Sequence, residues 1–259
     1  MRAINDIKKY WGYMLYSAKS RLKAEVANSY LNWIWWVLEP FFFMLIYTII
    51  FGYIFESGEQ YFPVYIFIGN TMWAFFSKTI SASVTMIRAN ETIIAKVYIP
   101  KFILLIIEML VNAFKMLVSF GLTAIMMIIF QVPVSLHLLW VFPIMAVFVL
   151  VTFGFGTLLL HGGVYIDDLA HVITIFLNMM MYFTGIFFSI ENRVPEPFCT
   201  ALGVGNPVAF LLTSTRKAVM YSSAPDLPLL VAWFGIALIL SAIGIHVIYK
   251  NENNYVKIM

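Results

Sequence analysis

Apolar and polar positions follow two registers along this chain. From residue 2 to residue 29, Ile4, Ile7, Trp11, Met14, Leu15, Ala18, Leu22 and Val26 recur at three-and-four spacing, with Lys8, Lys9, Lys19, Arg21 and Lys23 between them. That stripe predicts an amphipathic helix lying in the plane of a membrane, its lysines toward anionic headgroups. The alternative is a basic flank that only orients the segment after it. From residue 30 the apolar runs become continuous. A hydrocarbon core of about 30 Å takes roughly 20 residues of helix, and runs of that length occur at 30–55, 63–87, 102–130, 136–160, 171–190 and 227–249. The expected fold is an all-α membrane protein, with an interface helix over 1–29 and six crossings within one unit over 30–259.

The links carry their own signals. ESGEQY at 56–61 has no basic residue, whereas RANETIIAKVYIPK at 88–101 is polar and basic. The second predicts a short helix closed by Pro100. Pro133 breaks the turn at 131–135, and Gly154, Gly156, Gly162 and Gly163 permit close packing or a bend at the end of the fourth crossing. The stretch 191–226 is apolar yet too often interrupted to hold one crossing. VPEPF can open one short helix there and Asn206-Pro207 a second, with Asn206 as N-cap and Pro207 at the first helical position. Broken helices at membrane depth are tolerated only against protein or a watery cavity.

Composition agrees with the pattern: 62% of the 259 residues are hydrophobic and 11% charged, against about 25% charged in a soluble domain. Basic residues then choose the orientation. Arg2, Lys8, Lys9, Lys19, Arg21, Lys23, Arg88, Lys96, Lys101, Lys250 and Lys257 share one side, and Arg193, Arg216 and Lys217 the other. Lysine and arginine accumulate in the cytoplasm, so both termini are expected there. Residues 1–25 are charged throughout, and no cleavable signal peptide is expected. A single cysteine, Cys199, excludes a disulfide within the chain, and no Cys/His cluster has metal-ligand spacing. No G-x-x-x-x-G-K-[ST] run occurs, so this chain does not cradle nucleotide phosphates in that way.

Charges at membrane depth are the candidate chemistry. Glu39, Lys78 and Glu108 fall roughly 9 to 14 Å inside the cytoplasmic ends of their crossings, and Lys115 follows Glu108 two turns on along the same face. They suit contact with a phosphate or first sugar, or a structural ion pair with snorkelling lysines. Asp167, Asp168 and His171 form a candidate Mg²⁺ site for a lipid-phosphate transferase. The plainer reading has Asp168 capping the fifth crossing. His137, His161 and His246 stand alone near span ends and read as interfacial, and the 15 methionines as adaptable packing. Arg216 and Lys217 either hold phosphate at the outer face or anchor their helix at the headgroups.

Three separated pieces also share an order and spacing: Ser29-Tyr30-Leu31-Asn32 with Trp35, Leu38, Pro40 and Ile46-Tyr47-Thr48; Asn90, Ile93, Ile94, Lys96 and Ile99-Pro100; and Asn206-Pro207 with Arg216. They resemble the transmembrane subunits of type-2 ABC exporters, which move lipid-linked polysaccharides such as O-antigen, capsule or teichoic acid. The first is similar to that family's S-x-L-G-x-x-W-x-x-L-x-P run, the second to its N-x-x-L-I-x-K-x-x-F-P segment, and the resemblance covers nearly the whole chain. Asn32 stands where the family usually has glycine, and Asp167 where it commonly has arginine.

The resemblance implies a permease rather than an enzyme: a homodimer with the pathway between its copies, joined to two copies of a separate ABC ATPase. That partner would hold ATP and Mg²⁺, with no cofactor in this chain. The protein would be multi-pass in a bacterial cytoplasmic membrane, contacting membrane lipids and no nucleic acid. Asn90, Glu91, Thr92, Lys96 and Pro100 would couple to the ATPase within the segment 88–101. Trp33, Trp36, Glu39, Phe41, Tyr47, Lys78, Asn178 and Tyr182 would line the path of a polymer on polyprenyl pyrophosphate, because flat rings stack on sugar faces. Asn206, Pro207, Arg216 and Lys217 would belong to an outer gate over 191–226. Two other classes stay open. One is an ATP-independent transporter or channel, which should show symmetry between halves; the other is the transferase built on Asp167, Asp168 and His171.

Overall fold

The computed structural model describes residues 2–27, 32–55 and 58–258. Ser29, Tyr30 and Leu31 of the first motif, Glu56 of the first link and the Lys257 side chain lie outside the described residues. Helix accounts for 84% of the structure and no strand occurs among the described residues, so the class is all-α.

Helix α1 (Arg2–Val26) buries Met14 and Ala18, one turn apart, against α5 (Lys101–Ile129), while Lys8, Lys9, Lys19 and Lys23 stay exposed. Ile4, Trp11 and Leu15 form a second apolar edge that remains open. The amphipathic stripe is thus shared between a protein neighbour and the surroundings. Next, α2 (Trp35–Tyr47), preceded by a 3-10 turn at Asn32–Ile34, widens into a π-helix at Thr48–Ile54.

Helix α3 (Phe62–Ala89) opens after a left-handed Tyr61 (φ 52°) with Pro63 in its first turn. It is the axis of the bundle, touching α2, α5, α6 (Val141–Tyr165), α7 (Leu169–Phe183) and α10 (Pro207–Met220). The remaining elements are the single turn α4 (Glu91–Ile94), the short α8 (Ile190–Arg193) and α9 (Phe198–Gly205), and the long α11 (Leu227–Ile258). Two glycines set how closely the large helices approach. A Cβ on Gly163 would strike the Val84 carbonyl of α3, and one on Gly244 of α11 would strike the Thr157 side chain, so α6 meets the backbone of α3 and α11 lays its own backbone on Thr157 of α6.

Among the described residues four helical stretches are long and apolar enough to cross a membrane: Trp35–Ile54, Lys101–Ile129, Leu136–Tyr165 and Leu227–Tyr255. The pair α9 and α10, bent by 88°, makes a fifth if counted as one broken span. Arg2 of α1 and Glu252 of α11 meet at Tyr98, in the link between α4 and α5, so both ends of the chain lie at one end of the bundle, and α10 lies at the opposite end.

Several boundaries depart from the sequence reading. The fifth apolar run is helical only to Phe183, about 22 Å at 1.5 Å per residue, because Gly185 turns the chain with φ 70°. Pro100 does not close a helix but stands at the N-cap of α5, where its missing N–H is no loss. The residues after Tyr249 are not a tail; α11 continues to Ile258 and buries Tyr255. His161 is not a lone interfacial group, since its Nδ1 lies 2.8 Å from the Tyr255 hydroxyl.

Candidate functional site

On α2, Trp35, Trp36, Glu39, Pro40, Phe43 and Tyr47 recur at helical spacing and form one face. That face looks onto Asn70, Thr71, Trp73, Ser77 and Lys78 of α3 and onto Asn112, Lys115 and Ser119 of α5, enclosing a cavity of about 450 Å³. A second cavity of about 480 Å³ shares Glu25, Trp73, Ser77, Lys78, Asn112 and Lys115 and extends to Glu108 and to Asn178 of α7. Ion pairs cross these spaces. Lys78 lies 3.5 Å from Glu39 and Lys115 2.6 Å from Glu25. Arg21 lies 2.9 Å from Glu108, and Asn112 donates to Thr79 at 3.1 Å.

Of the predicted pathway residues, the structure brings Trp36, Glu39, Tyr47, Lys78 and Asn178 to these cavities. Trp33 lies outside them, 61% exposed just before α2 begins, and Phe41 packs against Phe42 on another side of that helix. Tyr182 is exposed, but its ring meets Phe187, on which Tyr47 (4.9 Å between centroids) and Phe51 (4.4 Å, stacked) also converge. Phe187 escaped the sequence reading because its position follows from the turn at Gly185. Trp35, Phe43, Thr71 and Trp73 were legible in principle from helical spacing with Trp36, Glu39 and Lys78. Glu25 was legible as the residue one turn from Arg21.

The segment between α3 and α5 is held at both ends by α1. Arg21 donates to Asn90 Oδ1 at 3.0 Å, and Asn90 Nδ2 donates to the Met86 carbonyl at 2.7 Å, closing the end of α3. At the far end Arg2 donates to the Tyr98 hydroxyl (2.9 Å), Tyr98 donates to Glu252 of α11 (3.0 Å), and Tyr10 donates to the Tyr98 carbonyl (3.2 Å). Burial, then Glu252, holds the Tyr98 hydroxyl above its ordinary pKa, so it stays a donor. Between these ties Glu91, Thr92, Ile93, Lys96 and Val97 are exposed, with Ile93 and Val97 at 40% and 55%. Pro100 is buried.

The opposite end is held differently. Asn206 caps α10 as its sequence predicts, accepting from the Val208 and Ala209 N–H groups, and its amide donates to Thr184 at 3.2 Å. Pro207 follows at the first helical position. Arg216 neither faces an outer phosphate nor anchors at headgroups. It is 3% exposed and donates to the Tyr65, Gly185 and Ile186 carbonyls at 2.7–3.2 Å, with its guanidinium 3.4 Å from the Tyr65 ring centroid. Gly185 and Ile186 lie in the turn that follows α7, so Arg216 ties that turn to the Tyr65 carbonyl of α3. Lys217 pairs with Glu191 at 2.8 Å.

Asp167 pairs with Arg88, and Asp168 sits at the N-cap of α7 without accepting a hydrogen bond from it. With His171 they form no metal site: among the described residues no three His, Cys, Asp or Glu side chains come close enough to hold an ion.

The chain is similar to the O-antigen export system permease protein RfbA of Myxococcus xanthus, 22% identical over 241 residues that cover 93% of this chain and 92% of that protein. RfbA of Klebsiella pneumoniae is 23% identical over 239 residues, covering 92% and 91%. The family described as ABC-2 type transporter matches residues 16–220, which take in the second half of α1, the cavity helices, the exposed segment and the capped hairpin, and the chain belongs to that family.

Proposed function

We propose that this chain is the transmembrane subunit of an ATP-driven exporter that moves a polysaccharide on a polyprenyl pyrophosphate lipid across the bacterial cytoplasmic membrane. It acts as a homodimer with two copies of a separate ABC ATPase, which hold ATP and Mg²⁺. The end of the bundle with both termini faces the cytoplasm, and α3 and α7 complete six crossings. The export permeases among its relatives support the cargo class. Burial supports the pairing of two copies: 6% of the best apolar window of Trp35–Ile54 is buried within the chain, against 56% for Lys101–Ile129. A helix so little covered, yet carrying Glu39, belongs against a partner or a watery path rather than lipid.

The observation that carries the mechanism is Arg21, which bonds at once to Asn90 at the root of the exposed segment and to Glu108 beside the cavity. Ile93, Lys96 and Val97 present the surface that a cytoplasmic ATPase seats upon. Its rigid-body motion reaches α5 and the cavity through α1, without passing through the lipid-facing helices. The lipid end of the substrate enters from the inner leaflet along α2, and the α9–α10 hairpin opens on the far side. In vesicles holding both subunits, transport of the glycolipid should require ATP and fall at least tenfold with Lys96→Glu. Transport by this chain alone, without nucleotide, would overturn the proposal.

A further inference from the structure

Resting on the exporter reading, one question is which part of the substrate the α2–α3–α5 cavity receives. Its charges answer first. Both cations on its wall, Lys78 and Lys115, already face carboxylates, Glu39 and Glu25, and Glu108 faces Arg21. No surplus positive charge is left for a pyrophosphate. Bringing a multiply charged anion to this depth without its own cations carries a desolvation cost of several kcal/mol per ion.

The polar groups that remain are neutral. Thr71 is 4% exposed and lines the cavity, and its buried hydroxyl oxygen has no hydrogen-bond partner in the protein. A buried hydroxyl left unsatisfied is costly, and it can both donate and accept. Asn70 and Ser119 flank it on the same wall, while Trp35 and Trp73 offer flat apolar rings. Uncharged donors and acceptors beside aromatic faces match a pyranose, whose edge is hydroxyl and whose face is C–H.

We infer that this cavity is a saccharide subsite, taking the neutral sugar nearest the lipid, with the orphaned Thr71 hydroxyl as a direct contact. The pyrophosphate stays nearer the headgroups, where α1 carries Lys8, Lys9, Lys19 and Lys23.

The test uses the native glycolipid in cells that make it. Phe43, which lines the cavity and is 44% exposed, is replaced by photoreactive p-benzoylphenylalanine, and Trp35 likewise in a second variant. After irradiation, mild acid cleaves the sugar–phosphate bond and the peptide adduct is weighed. The expected adduct retains sugar mass, and Thr71→Val lowers its yield roughly three- to tenfold, the value of one hydrogen bond. Retained isoprenoid mass, no adduct at either position while polymer still reaches the surface, or an unchanged yield in Thr71→Val would each overturn the subsite and leave the exporter standing. Loss of the exporter itself would show separately, as unsubstituted protein and ATPase together moving no glycolipid.

Discussion

Arg216 at the hairpin end and the cations at the end with the termini are used in opposite ways. At the end with the termini, Arg21, Lys78 and Lys115 reach side-chain carboxylates on other helices, and every partner keeps 21–53% of its side-chain surface exposed. At the hairpin end, Arg216 is buried and bonds to backbone carbonyls of two separate segments. Half-exposed ion pairs contribute little and exchange partners at small cost, whereas a buried donor cannot leave without orphaning what it serves. The first end is built to change its pairings; the second moves, if it moves, as one rigid piece.

The largest effect should come from breaking the rigid end. Arg216→Met removes four charge-assisted hydrogen bonds to three buried carbonyls and should lower stability by about 3 kcal/mol or more, read as loss of folded protein in detergent and a large drop in melting temperature. Arg216→Lys should recover little of it, because one ammonium does not reach across α3 and the α7 break as a planar fork does. A smaller loss of about 1–3 kcal/mol is expected for Gly69→Ala, whose Cβ would lie 2.5 Å from the Arg216 Nη2. If Gly69→Ala melted like the parent, the guanidinium would have room to shift and its hold on the turn would be looser than its contacts indicate.

This contrast also marks how far the sequence could be read. The α1 stripe, the Asn206-Pro207 start of α10 and the glycines of α6 are local signals, and each stands in the structure where its pattern places it. The depth count that put Glu39 and Lys78 level found a real pair, 3.5 Å apart. What failed depended on distant contacts. An apolar run through Ile190 gives no sign that the helix stops at Phe183, since the turn that follows is held by Arg216, which bonds Ile186 from 30 residues further on. Arg216 itself reads as an outer-face charge until Tyr65, Gly185 and Ile186 surround it.

At the exchangeable end, Arg21→Gln tests transmission more than stability. The pair with Glu108 is partly exposed, so its loss should cost about 1 kcal/mol. Export should nevertheless fall about tenfold while ATP hydrolysis by the assembled transporter persists, because the bond to Asn90 is lost with it. Equal falls in hydrolysis and export would show that Arg21 supports assembly instead. Rescue by Arg21→Lys should be partial, as a single ammonium does not bridge Asn90 and Glu108 together.

The smallest stability change belongs to Glu39→Gln. Glu39 and Lys78 are 53% and 51% exposed at their side chains, and 3.5 Å is a long contact for an ion pair. Their coupling should be no more than about 0.5 kcal/mol in a double-mutant cycle with Lys78→Met. Were Glu39 there to hold α2 against α3, this near-zero coupling would make it dispensable for export as well. A carboxylate in a span otherwise written in Trp, Phe and Ile has a different use: it neutralises Lys78, so that the cavity carries no net attraction for an anion, while leaving an oxygen for a sugar hydroxyl. Glu39→Gln keeps that oxygen and exposes the lysine charge. Export should then become inhibitable by added inorganic pyrophosphate while melting behaviour stays that of the parent, and restoring neutrality with Lys78→Met in the same chain should abolish the inhibition. A double variant still inhibited by pyrophosphate would locate the anion elsewhere and remove charge closure as the reason these two residues face each other.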